Sequence, residues 1–114
     1  MTRKLFYNLV REAADVRDDD TFIASLGWQG WMDDLYNGDT DRIVRDLRHI
    51  YEIANWSVRD LRKRAGLSQG KFADRFAIPL RTVVEWDGGR RHCLGYMRLM
   101  MAELLGFIAL DLDA

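Results

Sequence analysis

The chain has 114 residues, 48% of them hydrophobic and 31% charged, with a formal net charge of -1. That mixture fits one compact soluble domain with an extension and excludes a disordered tail; no apolar run reaches the ~20 residues of a membrane span, and the N-terminus lacks a signal-peptide core. The single cysteine, Cys93, excludes an internal disulfide and a cysteine-rich zinc site, so packing alone must hold the fold, and a cytoplasmic location is expected.

Taken in order, the segments read as helices separated by short turns, with one proline, Pro79, and no strand-like alternation. Leu5, Phe6, Leu9, Val10 and Ala13 form an amphipathic stripe that predicts a helix at about 2–16. Asp20 is a candidate cap for a short helix through Leu26, which Gly27 ends, and Trp28, Trp31, Met32 and Leu35 offer another short helical face before the Asn37-Gly38 turn. Asp39 or Thr40 can cap a longer helix whose inner face is Ile43, Leu47, Ile50, Tyr51 and Ala54, ending near Trp56. Ser57 caps the next helix, through Ala65, with Val58 and Leu61 inward and Gly66 as its stop. Ser68 then caps a further helix, with Lys71 standing where a reciprocal capping box would need Glu or Gln.

Charge is unevenly placed along this series. Residues 1–56 hold 7 basic and 11 acidic side chains, net -4; residues 57–91 hold 9 and 4, net +5; residues 92–114 hold 1 and 3, net -2. A basic stretch of this kind can neutralise phosphates by counterion release, or be a solvated helix face. The acidic residues Asp15, Asp18, Asp19, Asp20, Asp33 and Asp34 lack the regular loop pattern of a calcium site and are read as caps and solvated groups. His49 and His92 lack a nucleophile or metal constellation, so no enzyme, metal or cofactor is expected.

Residues 66–91, GLSQGKFADRFAIPLRTVVEWDGGRR, resemble the lambda-repressor-like (Xre-type) helix-turn-helix family, and with the flanking VRDLRKRA and LGYMRLMMAELLGF the resemblance spans residues 57–106, about half the chain. It implies an all-α fold: a helix-turn-helix domain with a C-terminal helix over 57–114, and an acidic helical extension over 1–56 packed on the core. Ala73 takes the close-packing point between the two motif helices and Ile78 the buried turn position, while Val83 and Trp86 face inward with Leu67, Phe72 and Phe76. The family commonly has glycine where Ala77 stands, because the turn there favours positive φ.

The resemblance further implies a sequence-specific transcriptional regulator, a repressor, that lays the helix at about 80–87 in the major groove of double-stranded DNA. Leu80, Arg81, Val84 and Glu85 are then the base-contact candidates: Arg81 suits guanine, Glu85 suits a cytosine amino group or pairs with Arg81 one turn away, and Leu80 and Val84 suit thymine methyls. Gln69, Lys71, Thr82, Arg90 and Arg91 are the phosphate-contact candidates. Leu80 and Val84 replace polar side chains common in the family, which keeps open an alternative: an antitoxin-like or other partner-neutralising protein whose motif autoregulates or meets protein. Trp28, Trp31 and Trp56 are expected to cover the core or join the extension to the motif. The apolar run Leu94 to Leu112 predicts a homodimer, and the extension offers a surface for a protein partner.

Overall fold

The computed structural model describes residues 1–113. It is all-helical: α1 Arg3–Ala13, α2 Asp19–Leu26, α3 Gly30–Tyr36, α4 Thr40–Asn55, α5 Val58–Arg64, α6 Gln69–Phe76, α7 Leu80–Asp87 and α8 Gly95–Leu104, with one isolated bridge between Thr2 and Asp113. None of these helices is long and apolar enough to cross a membrane. The chain divides into two compact units, one of residues 1–55 with the 109–113 tail, the other of residues 56–108. The sequence boundary at 56/57 is thus displaced by one residue, and the last residues return to the first unit.

In the first unit the 16-residue α4 is the spine on which α1, α2 and α3 pack. Ile43, Leu47, Ile50, Ile53 and Ala54 recur at helical spacing and are buried, and they meet Phe6, Leu9 and Ala13 of α1, Phe22 of α2 and Met32 and Tyr36 of α3 to form the core. Tyr51, expected on this face, is half-buried; its ring lies 6.3 Å from that of Phe22 and its hydroxyl donates to the Val16 carbonyl at 2.7 Å. Tyr36 donates to Asp46 at 2.6 Å, and burial together with that carboxylate pushes its phenol above the usual range.

Several boundaries differ from their sequence expectations. Helix α1 ends at Ala13 rather than 16, because Asp15 turns to φ 63° and its N–H goes to the Asn55 side chain at 3.1 Å; the same amide donates to the Ala13 carbonyl at 2.9 Å. Asp18, not Asp20, caps α2: its carboxylate accepts from Thr21 N at 2.7 Å, which leaves Asp19 and Asp20 in the first turn, where the helix dipole favours acid. Those two carboxylates also hold Arg48, at 2.7 and 2.9 Å. Trp28 lies outside α3 and is 56% exposed, its indole donating to Asp33 at 3.0 Å, and Leu35 is also exposed because the inner face runs through Met32 and Tyr36. Asp39 caps α4, accepting from Arg42 N at 3.3 Å, and Thr40 belongs to the helix.

The second unit is built of four shorter helices around Val58, Leu61, Phe72, Ala73, Val83, Cys93, Met101 and Ala102, all buried. Trp56 opens it: its ring meets Phe107 edge-on at 5.6 Å and carries the Arg64 guanidinium 4.4 Å above it, and its carbonyl accepts from Arg98 at 2.7 Å. Helix α8 stops at Leu104, followed by Gly106 at φ 82°, so the apolar run to Leu112 is not one helix. It buries Met101 and Ala102 and leaves Tyr96, Met100 and Leu104 exposed, one residue per turn along its outer face. Cys93 is a packed residue whose burial pushes the thiol up, away from reactive thiolate.

Candidate nucleic-acid interface

Helices α5, α6 and α7 are each only seven or eight residues long, below the length at which a helix is stable alone, so their ends and contacts must define them. Ser57 and Asp60 close a reciprocal capping box on α5, at 3.1 and 2.9 Å, and Gly66 at φ 69° turns the chain away after it. The Ser68 hydroxyl accepts from Lys71 N at 3.1 Å to start α6. That helix ends at Ala77, φ 53° and ψ 42°, and the next amide, Ile78 N, closes onto the Ala73 carbonyl at 2.9 Å. An alanine thus holds the left-handed turn that glycine takes without steric cost, a conformation that costs a residue with a Cβ roughly 1–2 kcal/mol. Pro79, with no N–H to lose, precedes α7, and its carbonyl accepts from Thr82 N at 2.9 Å.

Small Ala73 and buried Val83 and Phe72 bring α6 and α7 together, while Leu67, Phe76, Ile78 and Trp86 are only partly buried. Ile78 and Trp86 instead line an open apolar hollow of about 410 Å³ with Pro79, Thr82, Leu94 and Met97.

A polar cluster that the sequence reading missed sets the position of α7. The Asp87 carboxylate, 8% exposed, receives Arg62 of α5 through Nη2 at 2.9 Å and Nε at 3.1 Å, and Gln69 of α6 through Nε2 at 3.0 Å; Arg62 Nη1 also donates to the Leu67 carbonyl at 3.1 Å. One carboxylate oxygen therefore ties three helices. A clue was present: an aspartate in the last turn of a helix opposes the dipole and needs a nearby cation. Its other oxygen, Asp87 Oδ1, and the Trp86 indole N–H are buried without partners among the described residues.

The outer face of α7 carries the base-contact candidates. Leu80 and Val84 are 52% and 44% exposed, and the Arg81 side chain is almost wholly in solvent. Glu85 is the least exposed of the four and pairs with Arg81 at 3.1 Å. Among the phosphate-contact candidates, Lys71 and Arg90 are exposed, with no side-chain partner among the described residues. Arg91 pairs with Glu85 at 3.1 Å, Thr82 is half-buried beside the hollow, and the Gln69 amide is already committed to Asp87. The structure therefore gathers Leu80, Arg81, Val84, Glu85 and Arg91 on or beside one helix, and turns the donor of Gln69 inward.

Compared against protein-family models, curated proteins and solved structures, the chain matches none of them.

Proposed function

We propose that this chain is a sequence-specific regulator that reads double-stranded DNA with α7 and represses transcription by occupying a promoter site. The observation that carries the reading is that α7 is seated and yet open: Val83 and Asp87 anchor it to α5 and α6, while Leu80, Arg81 and Val84 stand exposed. A rigidly seated helix with one open face suits the major groove, whose base edges carry a distinct pattern for each base pair. The net charge of +5 over residues 57–91 supplies the attraction to phosphate that any such contact requires. Lys71, Arg90 and Arg91 take the phosphate contacts and Arg81 a guanine; Leu80 and Val84 lie against thymine methyls. The reading places the protein in the cytoplasm and pairs two copies through the Tyr96, Met100 and Leu104 stripe of α8, so that two half-sites are engaged together.

The test is selection of a random duplex library by the purified protein near ~150 mM salt, followed by salt titration on any enriched sequence. Enrichment of a paired, symmetric motif is the expected result. On that sequence Arg81→Ala costs about 1–3 kcal/mol and relaxes preference at one position, whereas Arg90→Ala weakens all sequences alike and lowers the salt slope by about 1; equal, sequence-blind losses from both variants remove Arg81 from base reading.

The exposed Leu80 and Val84 favour a second reading, in which this face or the acidic first unit covers a partner protein in the manner of an antitoxin. A folded protein that enriches no duplex sequence removes the DNA reading and makes a bound protein partner the next thing to seek.

A further inference from the structure

The Glu85 carboxylate takes a guanidinium on each oxygen: Arg81 Nε lies 3.1 Å from Oε1 and Arg91 Nε 3.1 Å from Oε2. The arrangement is built from both sides. Arg81 stands one turn earlier on α7, and the backbone brings Arg91 round to meet it, because the Glu85 carbonyl accepts from Arg90 N at 2.9 Å and Arg91 N at 3.3 Å while Gly89 turns at φ 73°. Glu85 itself is 20% exposed, against 91% and 57% for the two arginine side chains, so the better-anchored group holds the two looser ones.

Three consequences follow from the chemistry. Arg81 donates to Glu85 through Nε and Arg91 is held there as an ion pair, which leaves the paired terminal nitrogens of Arg81 for other acceptors, and two parallel N–H donors are what the O6 and N7 acceptors of guanine require. Two guanidinium groups that would repel each other are kept close by the shared negative charge. That same charge reduces the net charge of the trio to +1, which weakens attraction to phosphates of any sequence. An arginine on a flexible stem finds phosphate anywhere; one fixed at its Nε is limited to the acceptors it is aimed at.

We propose that Glu85 is a positioning residue for base selection: it aims the terminal nitrogens of Arg81 at a guanine and those of Arg91 at the neighbouring backbone, and it suppresses indiscriminate phosphate binding. The inference rests on the reading of α7 as the DNA-facing helix. It makes the pair Arg81–Glu85 one unit, so the cytosine contact that Glu85 alone offers is not its role.

The experiment compares full-length wild type, Glu85→Gln and Glu85→Asp on three duplexes: the selected sequence, the same sequence with its Arg81-dependent guanine replaced, and an unrelated duplex, each across a salt series. Wild type loses about tenfold or more when the guanine is replaced, the size of one good bidentate contact. Glu85→Gln loses no more than about threefold there, binds the unrelated duplex more tightly, and steepens its salt slope by up to about 1 as one negative charge disappears. Glu85→Asp, a carboxylate one methylene short, falls between the two. Thermal unfolding of each variant accompanies the binding. A Glu85→Gln protein that keeps the full guanine preference overturns the inference, as does one that weakens on all three duplexes equally, the mark of a merely structural role. If Glu85→Gln does not fold, Glu85→Asp decides by the same criteria. A wild type that selects no sequence at all removes the DNA reading, and this inference with it.

Discussion

The two units solve the same packing problem differently. Residues 1–55 hang three helices on the 16-residue α4, and the buried side chains there are apolar apart from the Tyr36 hydroxyl, which donates to Asp46. Residues 56–108 have no spine: side chains cap α5 and α6, and Arg62 and Gln69 converge on Asp87 to tie those two short helices to α7. Apolar contacts are non-directional, whereas a buried, hydrogen-bonded ion pair is satisfied in only one geometry. Under the proposed DNA reading, a helix that presents fixed side chains benefits from the second kind of constraint.

Breaking either core gives the largest expected effect. Phe72→Ala, at a fully buried ring tilted against that of Phe76 with centroids 4.9 Å apart, is expected to cost about 3–5 kcal/mol in denaturant unfolding, and Phe6→Ala in the first unit a similar amount. The sharper contrast lies in the ion pairs. Arg62→Ala strands the Asp87 carboxylate in a nearly dry site and is expected to cost about 3 kcal/mol, while Arg48→Ala, facing solvent beside Asp19 and Asp20, leaves the melting temperature essentially unchanged. Equal losses from the two arginines erase the distinction between the units. The smallest effect is a gain: Ala77→Gly relieves the left-handed turn and is expected to add about 0.5–1 kcal/mol, less than the full strain because glycine also loosens the unfolded chain.

What the sequence made legible was written in near neighbours. Ser57, Gly66 and Ser68 placed the helix ends around α5 and α6, because caps and stops act within one turn of the residue that makes them, whereas the bounds of α7 at about 80–87 came from the family resemblance. The positive φ expected at Ala77 is also present. Three adjacent acids at Asp18, Asp19 and Asp20 left the cap of α2 ambiguous, since each has the side chain to do it. Trp28 looked like a helical residue by spacing alone, yet Gly30 begins α3 after it. Arg62 and Asp87 are 25 residues apart, and no local pattern joins them. The twofold use of Glu85 was half legible: the helical spacing offered Arg81, whereas Arg91 depends on how the chain turns at Gly89.

The return of residues 109–113 to the first unit makes that unit discontinuous in the chain. Ala109 N donates to His49 Nε2 across 60 residues, and Asp113 N donates to the Met1 carbonyl. Closing loops of that length carries an entropic cost, one that grows only slowly with the separation. The first 55 residues are synthesised before the segment 109–113 that completes their contacts, whereas residues 56–108 are contiguous. Truncation at residue 108 therefore removes contacts from the beginning of the molecule, and the excisable piece for dissection is the middle of the chain.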